Sequence, residues 1–233
     1  MKRVQLLVML LGVLSVSQAS ATVFINEIDY DNPSTDNAEW VELAGHAGLS
    51  LNGYELVFYN GAVTTADDYL TVDLADANFT FSNEVNGWGF FVMGIVDPAF
   101  GTTADFLPDG WTQNMIQNGA PDAVQLRLKS PVTNIHLVEY EGDTSLAGDQ
   151  QTTLDDNNDH LKTSLFLTGA GDNFSDFTLA VTAHSGTPGA TNAGQTLAAV
   201  PEASSVLLVG MVAAAASALA LRQRFMADRV QSP

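Results

Sequence analysis

From Val23 to Ala180 the chain repeats one device: a short run in which apolar and polar side chains alternate, closed by a cluster of Gly, Asn, Asp or Pro. Alternation with period two fits a strand whose side chains point to opposite faces, and the closing residues are those that turn a backbone sharply. The runs are Val23–Asp29, Glu39–Ala44, Tyr54–Tyr59, Tyr69–Asp73, Gly89–Gly94, Ala123–Leu128, Ile135–Tyr140, Leu165–Leu167 and Phe177–Ala180. No long stretch of helical periodicity separates them. Short strands at this density predict an all-β antiparallel sandwich or barrel, with one face of each strand buried and the other wet. Asn60-Gly61, after YELVFY, predicts a tight turn with left-handed residues. The chain has no cysteine, so no disulfide staples it, and stability has to come from apolar burial or from a bound metal.

Charge narrows the range of partners. Between Thr22 and Val200, 25 acidic side chains face only Arg127, Lys129 and Lys162, which leaves 22 excess negative charges. A surface of that sign repels phosphate backbones and anionic lipid headgroups, so nucleic acid is excluded as a partner.

The two ends read as addresses. Met1 to Ala21 begins with Lys2 and Arg3, continues through an apolar run, and ends with small residues at Ala19 and Ala21. That order is a secretory signal peptide, with cleavage after Ala21; the other reading is an uncleaved anchor, for which the run is short. Residues 203–221 form a stretch of 19 without a charge, followed by Arg222, Arg224 and Arg229. At about 1.5 Å per residue a helix of that length nearly crosses a bilayer's hydrocarbon layer, and the arginines would stay cytoplasmic. The acidic domain then lies outside, as the signal peptide requires. The alternative is a helix buried in a protein core.

Val200-Pro201-Glu202, the apolar stretch and the arginine cluster together resemble the PEP-CTERM sorting signal of exopolysaccharide-producing Gram-negative bacteria, spanning residues 200–226. The resemblance implies an exosortase-type membrane protease as partner, a single-pass membrane intermediate, and a destination at the cell surface or outside it. Pro201, Glu202, Arg222 and Arg224 are its sorting residues, and Ala203 stands where the family usually has a second proline. Pro201 also interrupts helix propagation and keeps the peptide before the span extended.

Residues 22–197 resemble a second family, the bacterial lamin tail domain. The likeness rests on VFINEIDYDNPSTDNAEWVEL, LSLNGYELVFYNG, GAPDAVQL, LVEYEG and the closing stretch 163–196, with Ser175-Asp176-Phe177-Thr178 and Thr187-Pro188-Gly189-Ala190-Thr191-Asn192 in order. It implies an immunoglobulin-like antiparallel β-sandwich and a non-catalytic module, often attached to secreted nucleases and phosphoesterases or standing alone; with the sorting signal, the expected role is structural or adhesive at the surface, associated with exopolysaccharide. The alternative is an accessory module that binds carbohydrate or protein for a separate secreted hydrolase.

Several constellations bear on chemistry. Asp29, Asp31, Asp36 and Glu39 fall within eleven residues, and carboxylate and loop oxygens of that kind suit calcium. The competing reading makes them turn residues that bond nearby amides. Asp155, Asp156 and Asp159 crowd a second loop, with solvated charge as the plain alternative. His46, His136, His160 and His184 show no metal-binding spacing, and hydrolase elbows, cysteine nucleophiles and Walker loops are missing. Glu27 with Glu42 is a carboxylate pair that could act on a sugar if 5 to 10 Å apart in a groove, although such pairs arise by coincidence in so acidic a chain. Trp40, Trp88 and Trp111 could stack on carbohydrate or fill a core.

Overall fold

The computed structural model describes residues 22–33, 35–61, 67–155, 162–183 and 185–200. The expected signal peptide with Ala19 and Ala21, the apolar stretch 203–221, Pro201, Glu202, Arg222, Arg224, Asp156, Asp159, His160 and His184 lie outside the described residues. No described helix is long and apolar enough to cross a membrane.

The alternating runs fold as strands: β1 Val23–Asp29, β2 Trp40–His46, β3 Tyr54–Asn60, β4 Asp67–Asp73, β5 Trp88–Gly94, β6 Asp122–Lys129, β7 Val132–Tyr140, β9 Leu165–Gly171 and β10 Phe177–Val181. Two short strands join them, β8 Gln150–Gln151 and β11 Gln195–Leu197. The only described helices are three single 3-10 turns, Leu74–Ala77, Pro98–Phe100 and Phe174–Asp176. The first sheet runs β10-β9-β1-β2-β5, with β11 lying parallel to β9; the second runs β4-β3-β6-β7-β8. Antiparallel pairing dominates both, as the all-β reading expects.

The sheets pack face to face. Ile25, Ile28, Val41, Leu43, Phe91 and Met93 of the first meet Leu56, Phe58, Val124, Leu126, Val138 and Tyr140 of the second in one apolar core. At about 1.5 to 3 kcal/mol for each fully buried side chain, this layer is the main stabilising term. The rings of Tyr30 and Tyr140 meet at 4.2 Å within it.

The expectation of one dry and one wet face fails for β1, β2 and β5, whose residues are buried along their whole length. The outer face of the first sheet carries a second cluster of Phe24, Ala44, Trp88, Phe90, Leu167, Phe177 and Leu197. The C-terminal segment of the domain lies across that face. Trp88 Nε1 donates to Ala198 O at 2.8 Å, and Val200 N donates to Asn86 O at 2.8 Å. A third layer of chain thus dries side chains that alternation alone assigns to solvent.

The tight turn expected at Asn60-Gly61 is not formed, since neither residue has a positive φ. Gly61 is needed for another reason. Its N donates to Pro121 O at 2.9 Å, and a Cβ there would stand 2.4 Å from that oxygen. Gly94, at the end of β5, has φ +118°, and its Cβ would meet Glu39 O at 2.4 Å, so no other residue fits.

Candidate functional site

In antiparallel β1 and β2 the register slips at a bulge between Ile25 and Glu27, after which Glu27 faces Glu42. A bulge adds a residue to one strand and re-aims its side chains. Here Asn26 and Glu27 both enter one polar cluster beneath the C-terminal segment. Glu27 and Glu42 are 1% and 0% exposed. The three described cations are engaged elsewhere: Arg127 with Glu55, Lys129 with Asp73, and Lys162 with Ala99 O. Burial therefore pushes both carboxyls far above the ordinary carboxylate range, and the charge of Glu27 raises Glu42 further.

Each carboxyl holds the segment above it. Glu27 accepts from Ser164 Oγ, from Thr187 N at 3.1 Å and from Thr187 Oγ1 at 3.3 Å. Glu42 accepts from Asn26 Nδ2 at 2.7 Å and from Gly189 N at 2.5 Å. Asn192 closes the cluster. Its Nδ2 donates to Asn26 O at 3.0 Å and Leu167 O at 3.1 Å, while its Oδ1 accepts from Thr187 Oγ1 at 2.9 Å. Gln195 Nε2 donates to Asn26 Oδ1 at 2.6 Å. Glu27, Glu42, Thr187 and Asn192 thus form one hydrogen-bonded lock.

The acidic loop is bonded in the same way. Asp29 accepts from Asn32 Nδ2 and Trp40 Nε1, each at 2.9 Å. Asp36 accepts from Asn32 N and Asn118 Nδ2, each at 2.8 Å. Glu39 accepts from Met115 N at 2.7 Å and Ile116 N at 3.2 Å, and burial holds its carboxyl up at about 8. These contacts tie the loop 30–39 to the segment 114–118. Asp31 belongs to another neighbourhood, where its charge, with those of Asp155 and Asp122, adds to burial in pushing Glu141 up to about 7. Among the described residues no three His, Asp or Glu converge where a cation could be held.

His136, from β7, is fully buried, and burial lowers it to about 4, so its ring is neutral. Its Nδ1 accepts from Ile25 N at 3.2 Å. The proton therefore sits on Nε2, which faces Gln150 Oε1 at 3.2 Å. Gln150 Nε2 donates onward to Phe174 O and Phe177 O at 3.1 and 2.9 Å, so the imidazole bridges the two sheets. His46 packs edge-on against Trp88 at 4.2 Å. Trp40 and Trp88 are fully buried and Trp111 is 6% exposed, which places all three indoles in core positions.

Sequence reasoning missed a groove of about 490 Å³ beside β4, bounded by the turn at Asp76 and the segment 106–115. Val72, Phe106, Trp111 and Met115 line it together with Asp73, Asp76 and Asp109. The segment 106–115 lacks alternation, and only the exposed apolar Leu107 hints at it. Compared with protein-family models, curated proteins and solved structures, the chain matches none.

Proposed function

We propose that this chain is an exported, non-catalytic display module. It is carried out by the signal peptide 1–21, held in the membrane by the segment 203–221, and released to the cell surface or matrix by an exosortase-type protease at Pro201-Glu202. The sandwich is read as an immunoglobulin-like domain of the lamin tail kind, with a structural or adhesive role in exopolysaccharide. One observation carries the non-catalytic part of this reading. The carboxyl pair best placed for acid-base work, Glu27 and Glu42, is sealed from water and bonded to Thr187 and Gly189. A general acid has to reach its substrate. The groove beside β4 favours a second reading, an accessory module that binds a partner.

The test is the fate of the full-length chain in a Gram-negative host that has an exosortase. The expected result is a membrane precursor followed by a shorter surface form, with Pro201→Ala and Glu202→Ala accumulating precursor. A full-length product that stays soluble in the cytosol would overturn the reading.

A further inference from the structure

We propose that the groove beside β4 docks an extended polypeptide of alternating basic and apolar side chains, added as a strand to the edge of the second sheet. This inference rests on the binding-module reading above.

β4 is an edge strand, paired among the described residues with β3 alone. Two other edges are blunted. β5 has Asp105 and Phe106 laid along it, Phe106 pairing with Met93, and β8 has two residues. β4 is seven residues long, and its backbone groups are a template for pairing. Its exposed acids, Asp67 and Asp68, repel a second copy of the same edge in a domain with 22 excess negative charges. The same acids attract a basic strand.

Asp76 and Asp109 line the groove and are exposed, and the described cations are engaged with Glu55, Asp73 and Ala99. An added strand turns alternate side chains to opposite faces. The set turned into the groove would pack on the half-buried Leu70, Phe106 and Met115, and the long lysine stems of the opposite set would reach round to Asp76 and Asp109.

The probe is a blocked decapeptide of alternating valine and lysine, titrated calorimetrically into the full-length chain in detergent, with hydrogen exchange read on the complex. Binding should slow exchange of β4 amides and weaken steeply as salt rises. The double variant Asp76→Asn/Asp109→Asn should lose at least tenfold in affinity, and Asp143→Asn/Asp172→Asn, remote in sequence from β4, less than twofold. A valine–glutamate peptide that binds equally well, equal losses in the two double variants, or binding without protection of β4 would each overturn the proposal. The surface-display reading would survive such a failure, because it is measured by localisation.

Discussion

Replacing Glu27 by glutamine separates the two effects that meet at the buried carboxyl pair. In the folded chain burial raises Glu27 from 4.5 to about 8. A carboxyl with a higher pKa folded than unfolded stabilises fully below its unfolded pKa, and that contribution disappears as the pH rises toward the folded value. Each pH unit between the two is worth about 1.4 kcal/mol, so Glu27 alone removes roughly 5 kcal/mol between pH 4.5 and 8. Glutamine keeps the shape and never ionises. An amide nitrogen in place of Oε2 can donate to the Thr187 hydroxyl, which still donates to Asn192, while Ser164 Oγ and Thr187 N keep donating to the oxygen in place of Oε1. The exchange of hydrogen bonds then costs about 1 kcal/mol. Removing the charge of Glu27 also relieves Glu42. Glu27→Gln should therefore match the parent within about 1 kcal/mol at pH 5 and exceed it by roughly 2 to 4 kcal/mol at pH 8. With about 2 to 4 °C per kcal/mol for a domain of this size, Tm at pH 8 should rise by roughly 4 to 16 °C. Denaturant and thermal unfolding at intervals from pH 4.5 to 8.5 provide the assay. Parallel stability curves for parent and variant would refute the reasoning.

Three further outcomes are expected. Asn192→Ala strips the buried carbonyls of Asn26 and Leu167 of their donor and should cost roughly 2 to 4 kcal/mol in denaturant unfolding; a loss under about 0.5 kcal/mol would show that the lock does not bear on stability. Because Asp29, Asp36 and Glu39 already accept protein donors, excess EDTA at low ionic strength should leave Tm unchanged, and a fall of several degrees reversed by calcium would show that a cation takes the place of those bonds. Val212→Arg places a charge near the centre of the apolar tail at about 2.5 to 3.5 kcal/mol, and should shift the precursor from membrane to soluble fractions; unchanged fractionation would count against a spanning tail.

What the sequence exposes and what it hides follow from range. Strands such as YELVFY and AVQLRL declare themselves because alternation is local, and their β3–β6 pairing buries the side chains that alternation selects. Gln150–Gln151 and Gln195–Leu197 are too short to alternate, and only their partners β7 and β9 make them strands. VFINEID reads as half wet because Asn26, Glu27 and Asp29 are polar, yet residues 185–200, remote in sequence, cover Asn26 and Glu27, and Asn32 and Trp40 take up Asp29. Glu27 and Glu42 stood out as a pair, but chain position alone does not say that a bulge sets them opposite each other under one segment. The groove was hidden for a similar reason. It forms where β4 meets the non-alternating segment 106–115, a junction without a local pattern.

The central claim is that the carboxyl pair is a sealed fastening for the C-terminal segment. Hydrogen exchange at the amides of Thr187 and Gly189, which donate to Glu27 and Glu42, tests it most directly. The account predicts protection approaching that of the β1 and β2 amides, because both donors open only when the segment lifts from the first sheet. Exchange at the rate of an exposed loop, with β1 and β2 still protected, would contradict it.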